Sequence, residues 1–166
     1  AIMADLITTL KSRTVLADGA MGSYIFEQTG RLSEPNHVYE SLNIQNPTLI
    51  QGIHTEYLQA GAQCLTTNTF EANRTLLSAA GCQETVIDLN RAGVQLAKKA
   101  IDEYQRHQNM ELPSDCRDTS QPIESNCFLL GSIGPTLTGE EPIEEATDVY
   151  SEQIEPLVAE GVDALI

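Results

Sequence analysis

The chain has 166 residues, 41% of them hydrophobic, with a formal net charge of −15. That size and composition suit a globular domain with a real core rather than a disordered segment. The charge argues against a nucleic-acid or anionic-membrane partner, because phosphates call for Lys and Arg. No apolar run approaches the ~18 residues of a membrane helix. Asp5 interrupts the N-terminus early, unlike a secretory signal. A cytoplasmic setting is expected.

Residues 2–12 read as a short helix, with Ile7 and Leu10 at helical spacing. The run 14–17 reads as a buried strand that ends abruptly in Asp18-Gly19-Ala20-Met21-Gly22-Ser23. Asp-Gly alone is a turn signal. At the C-terminal end of a strand in a parallel α/β fold, however, a carboxylate beside free amides sits where ligands bind. Together such groups could hold the ammonium and carboxylate of an amino acid. Residues 24–45 read as an irregular connection, and a long connection at that end is often functional.

Asn46-Pro47 opens a helix, as cap and first residue. Its apolar stripe is Leu49, Ile50, Ile53, Tyr57 and Leu58, and Gly61 ends it. His54 falls beside the stripe and reads as a packed or surface histidine rather than a base. A second strand, 63–67, runs into Asn68-Thr69-Phe70-Glu71. That cluster reads either as a cap for a helix over 72–80 or as a second wall of the same pocket.

A long helix follows over 84–107, with Val86, Val94, Ala97, Ile101 and Tyr104 on one face and Gly93 as a soft spot. Residues 109–125 read as a surface loop away from the chemistry. A third strand, 127–130, leads into Gly131-Ser132-Ile133-Gly134-Pro135. A helix over 140–159 should bury Tyr150, Ile154, Leu157 and Val158, with Pro156 kinking it or bringing its end forward. A fourth strand begins at Val162. Cys64, Cys82, Cys116 and Cys127 show no C-x2-C spacing, so neither a four-cysteine metal site nor a disulfide framework is expected. Cys64 and Cys127 should pack as small hydrophobes.

Strands alternating with helices specify a parallel sheet with right-handed crossovers. The expected fold is α/β, the N-terminal half of a (β/α)8 TIM barrel. About four strands are present in a single partial domain over 1–166, since a whole barrel takes about 250 residues. Half a barrel leaves strand edges and apolar faces open. Alone, it should aggregate, dimerise or need its other half, and should neither catalyse nor hold zinc.

Four stretches carry a resemblance: the run from Leu16 to Ser23; Glu56-Tyr57-Leu58-Gln59-Ala60-Gly61-Ala62 followed by Thr67-Asn68-Thr69-Phe70; Gly131-Ser132-Ile133-Gly134-Pro135; and Glu160-Gly161-Val162-Asp163. In that order they resemble the homocysteine S-methyltransferase family. The resemblance implies zinc-dependent methyl transfer to the homocysteine thiolate, giving methionine, within one-carbon metabolism. Zinc favours the thiolate of a group otherwise mostly protonated at pH 7.

Carried over by motif, Asp18 would orient the amino group. Amides near Gly19, Ala20 and Met21 would meet the carboxylate, and Thr69 and Phe70 would line the pocket. The family's zinc cysteines, and a glutamate that helps hold the ammonium, would fall beyond Ile166, leaving no catalytic or metal residue here. Ala20 and Ser23 depart from the family's usual glycine and threonine. The implied partners are homocysteine and a methyl donor. The protein partners left open are the other barrel half, a fused reductase domain or a second copy. Two other readings compete: a noncatalytic half-barrel assembly domain, and a barrel enzyme binding a phosphorylated small molecule through the Gly22 or Gly134 loop. No basic residue neighbours either loop, which counts against the second.

Overall fold

The computed structural model describes residues 5–30, 38–111, 127–136 and 143–166, with side chains 109–111 and 143 excepted. Among these, a parallel sheet of three strands packs one face against helices. Strand β1 is Cys64–Thr66, β2 is Phe128–Gly131 and β3 is Ala164–Leu165. The order is β1-β2-β3, with Leu65 opposite Leu129 and Leu130 opposite Ala164. Successive side chains leave opposite faces of a strand. Leu65 and Leu129 therefore share one core with helical residues, while Cys64 and Phe128 meet Leu6 and Val15 on the other face.

The expected first strand reduces to a single parallel bridge, Ala17 to Cys64. The Gln63 and Cys64 amides both converge on the Leu16 carbonyl, at 2.7 and 3.1 Å. One carbonyl serving two amides breaks the ladder's regular spacing, as at a bulge. The segment still runs alongside β1, and the Asp18 amide donates to the Cys64 carbonyl at 2.9 Å.

Helix α1, Leu6–Ser12, is capped by Asp5, whose carboxylate accepts from the Thr8 amide at 2.8 Å. Its buried side chains are Leu6 and Thr9. Ile7 and Leu10, the pair at helical spacing, are 60% and 51% exposed. The stretch expected to be irregular holds helix α2, Met21–Thr29, ended by Gly30 in the left-handed conformation, then a 3₁₀ turn, Tyr39–Ser41, and the short α3, Leu42–Gln45. Only Ile25 of α2 is buried, which explains why no periodic stripe betrayed it.

Helix α4, Pro47–Gln59, carries the expected stripe and its Asn46 cap. Helix α5 is Arg74–Ala79, capped by Asn73, and α6 is Val86–Glu111. Leu58, Leu65, Val94, Ala97, Leu129 and Leu157 form the main core between α4, α6, the sheet and α7, Ile143–Ala159. The buried face of α7 is Val149, Gln153 and Leu157; Val158, expected inside, is exposed. Pro156 lies within the helix, which continues to Ala159. Most of the 109–125 loop lies outside the described residues. Among the described residues, no helix is long and apolar enough to cross a membrane.

Candidate functional site

A cleft of about 490 Å³ opens at the C-terminal ends of the strands. Asp18, Gly19, Ala20, Met21, Thr69 and Phe70 all line it, together with Tyr39, Glu40, Glu71 and Ser132. Among the described residues, no Lys, Arg or His lines it.

Asp18 is fixed by one residue. Its Oδ2 accepts the Thr66 amide at 2.8 Å and its Oδ1 accepts the Thr66 hydroxyl at 2.9 Å. Burial pushes the carboxyl above its ordinary value, and the two Thr66 bonds pull the other way. A carboxylate has about four lone-pair sites, so a donor from a ligand can still be accepted.

The loop after Asp18 feeds directly into α2. The N-cap, Ala20, is extended and makes no side-chain cap bond. The first-turn amides of a helix have no intrahelical acceptor, and here no side chain caps them. Such an end attracts negative charge. Tyr57 fixes this loop from α4 by donating its hydroxyl to the Ala20 carbonyl at 2.9 Å. A Cβ at position 19 would lie 2.8 Å from that hydroxyl, so a larger residue than Gly19 would push the tyrosine aside.

The second wall is a turn held by hydroxyls and carboxamides. The Thr69 hydroxyl donates to the Ser132 carbonyl at 2.8 Å. It therefore accepts from Thr67, 2.6 Å away, whose oxygen in turn accepts the Ser132 amide at 3.0 Å. Thr69 is fully buried and its hydroxyl is engaged, while Phe70 is half exposed on the cleft. Asn43 donates to the Asn68 carbonyl at 2.7 Å and Asn90 to the Ala72 carbonyl at 2.7 Å. Gln153 donates to the Thr69 carbonyl at 2.6 Å.

Glu40 was not singled out by sequence reasoning. It is 4% exposed, on the 3₁₀ turn. Its Oε1 accepts the Glu71 amide at 3.0 Å, while Oε2 is buried with no partner. Burial, with Glu71 nearby, pushes its carboxyl up to about 7. Acids are seldom buried, and no pattern in the sequence marked this one as an exception. His54 is also fully buried, with neither ring nitrogen bonded and its pKa depressed by burial to about 4. It does not line the cleft.

Zinc needs three or four converging nitrogen, sulfur or carboxylate donors. Among the described residues, no three such side chains converge. Burial holds the Cys64 and Cys127 thiols up at about 11 and about 12, against the thiolate form a metal binds. The described residues do not fit a zinc site.

Comparison with known proteins agrees with this architecture. The chain is 28% identical to the methionine synthases of Mycobacterium leprae (strain TN) and Mycobacterium tuberculosis (strain ATCC 25618 / H37Rv). Each match covers 98% of this chain and 13% of the relative. The homocysteine methyltransferase MmuM of Escherichia coli, in its metallated form, superposes with a TM-score of 0.75 at 24% identity. That match covers 96% of this chain and 55% of MmuM, so the chain spans about half of that protein. The apo form of MmuM gives 28% identity and a TM-score of 0.61. The sequence model of the homocysteine S-methyltransferase family matches residues 15–166, and the chain belongs to that family.

Proposed function

We propose that the chain is the N-terminal part of a homocysteine-binding (β/α)8 barrel, and that the complete protein transfers a methyl group to homocysteine, forming methionine. The observation that carries this reading is one juxtaposition. The Asp18 carboxylate and the uncapped start of α2 line the same cleft. An α-amino acid presents an ammonium and a carboxylate a few ångströms apart. Asp18 takes the ammonium through its free lone pairs, and the amides near Gly19, Ala20 and Met21 take the carboxylate. Thr69 and Phe70 close the second wall. A phosphorylated ligand suits the cleft poorly, since Asp18, Glu40 and Glu71 line it and, among the described residues, no cation does.

In this reading, zinc, when bound, supplies the thiolate at neutral pH. Its ligands lie outside the residues described here, and the role of this chain is to bind and orient the amino-acid end. The methyl donor and any fused reductase or cobalamin domain likewise belong to the rest of the protein, in a cytoplasmic, one-carbon setting. Calorimetry on the full-length protein, with homocysteine and a sugar phosphate as alternative ligands, tests the reading. Homocysteine alone should bind. Binding of the sugar phosphate instead, or no methionine formed with any methyl donor, overturns it.

A further inference from the structure

Resting on that reading of the cleft, we propose that Glu40 is a second, proton-linked anchor for the cationic end of the ligand, acting with Asp18 and positioning the Phe70–Glu71 wall. Three observations carry it. Glu40 lines the same cleft as Asp18, yet belongs to a different element, the turn after the 31–37 connection. One carboxyl oxygen ties that turn to the opposite wall through the Glu71 amide. The other oxygen is buried and has no bonding partner. A buried carboxyl oxygen left unpaired costs free energy unless a ligand or proton meets it.

Among the described residues, the groups around Glu40 offer no compensating charge. Glu71, on the turn it bonds, is acidic and disfavours ionisation of Glu40. Cys82 feels Glu40 and makes its own bond to Glu84 at 2.9 Å. Asp18 and Tyr39 line the same cleft. The packing of this turn against α6 is apolar, through Val38 with Val86 and Leu89. Asn43 of α3 is turned to the Asn68 and Leu89 carbonyls. A cation entering the cleft would thus favour the ionised form. With its carboxyl raised to about 7, a large share of Glu40 without ligand is protonated up to neutral pH. Binding of an ammonium group then releases that proton to solvent, leaving the carboxylate facing the new charge.

The test uses the full-length protein and methionine, the thioether product, as the probe. Methionine has no thiol, so a thiol titration cannot imitate the effect. Affinity is measured by calorimetry from pH 5.5 to 8 in two buffers of different ionisation enthalpy. The wild type should gain about tenfold in affinity through the region near pH 7, with proton release on the acidic side, as linkage requires. Glu40→Gln keeps an acceptor for the Glu71 amide and cannot ionise. It should bind about tenfold more weakly at pH 8, with a flat profile and no proton release, and with a melting temperature no lower than that of the wild type. An unchanged slope in Glu40→Gln, or a flat wild-type profile, overturns the role of Glu40 while leaving the homocysteine reading intact. Failure of both methionine and homocysteine to bind the wild type overturns the reading itself and this inference with it.

Discussion

Gln153 reaches from the middle of α7 to donate its carboxamide to the carbonyl of Thr69, 2.6 Å away. Both residues are fully buried. The helix that follows β2 therefore holds the wall that follows β1, and the cleft depends on a side chain that does not line it. Gln153→Leu keeps the volume near constant and removes the donor, leaving the Thr69 carbonyl with the Ala72 amide at 3.1 Å. The expected loss is about 0.5–1.5 kcal/mol of stability, read from urea midpoints. An unchanged midpoint would mean that the turn is held without this bond.

Asp18 supports two separable outcomes. Asp18→Asn can still accept the Thr66 amide while its new NH2 donates to the Thr66 hydroxyl, so the fold should be kept. The lost charge should weaken homocysteine binding ten- to a hundredfold, about 1.5–3 kcal/mol. Asp18→Ala removes both Thr66 bonds and should lower the melting temperature as well. Paired affinity and melting curves distinguish the two; equal affinity in Asp18→Asn and wild type would take Asp18 out of the site.

Gly93→Ala reverses the usual expectation. In an open helix, alanine in place of glycine adds about 1 kcal/mol of stability. Here a Cβ at position 93 would lie 2.6 Å from the Thr69 methyl group and 3.0 Å from the Asn43 amide nitrogen. The substitution should destabilise by about 1–3 kcal/mol through overpacking and weaken ligand binding by displacing the Thr69 wall. A gain in stability on chemical denaturation would show that α6 has room there.

His54 and Glu40 should pull stability in opposite directions with pH. The folded-state pKa of His54 is depressed from 6.5 to about 4. Between those values the unfolded chain binds a proton that the folded chain does not, so stability falls as pH falls, by up to about 3 kcal/mol. Glu40 is raised from 4.5 to about 7. Across that window the folded chain keeps a proton that the unfolded chain has lost, so stability rises as pH falls, by a similar amount. Relative to wild type, His54→Leu should gain stability as pH drops from about 6.5 to 4. Glu40→Gln should lose its advantage as pH drops from about 7 to 4.5. Denaturation midpoints that run parallel to wild type across pH would refute both assignments.

What could be read in the chain divides along physical lines. Strands β1 and β2 were legible because short apolar runs are bounded by Gly or Asn, and α4 because its stripe, cap and terminal glycine agree. Helix α2 was not, because a helix that buries only Ile25 has no stripe to read. Of the inward face expected for α7, Leu157 is buried and Tyr150 and Ile154 half-buried, but Val158 is exposed, because Gln153, a polar residue, occupies a core position for its hydrogen bond. Gly93 read as a weakness in α6, whereas it is a close approach. Asp18, Gly19, Ala20, Met21, Thr69 and Phe70 could be grouped because they follow strand-like runs. Glu40 and Tyr39 could not, since their place in the cleft depends on how a long connection returns.

The Asp18–Thr66 contact joins residues 48 positions apart. Closing a loop of that length is entropically costly before any native contact offsets it. The carboxylate therefore acquires its orientation only when the segment carrying α2, α3 and α4 has closed against β1. Assembly of this corner is a late, long-range event, of the kind that slows folding. Ligand binding and corner closure then share one equilibrium. An occupied cleft should slow hydrogen exchange of the Thr66 amide, at the end of β1, as much as that of any amide touching the ligand.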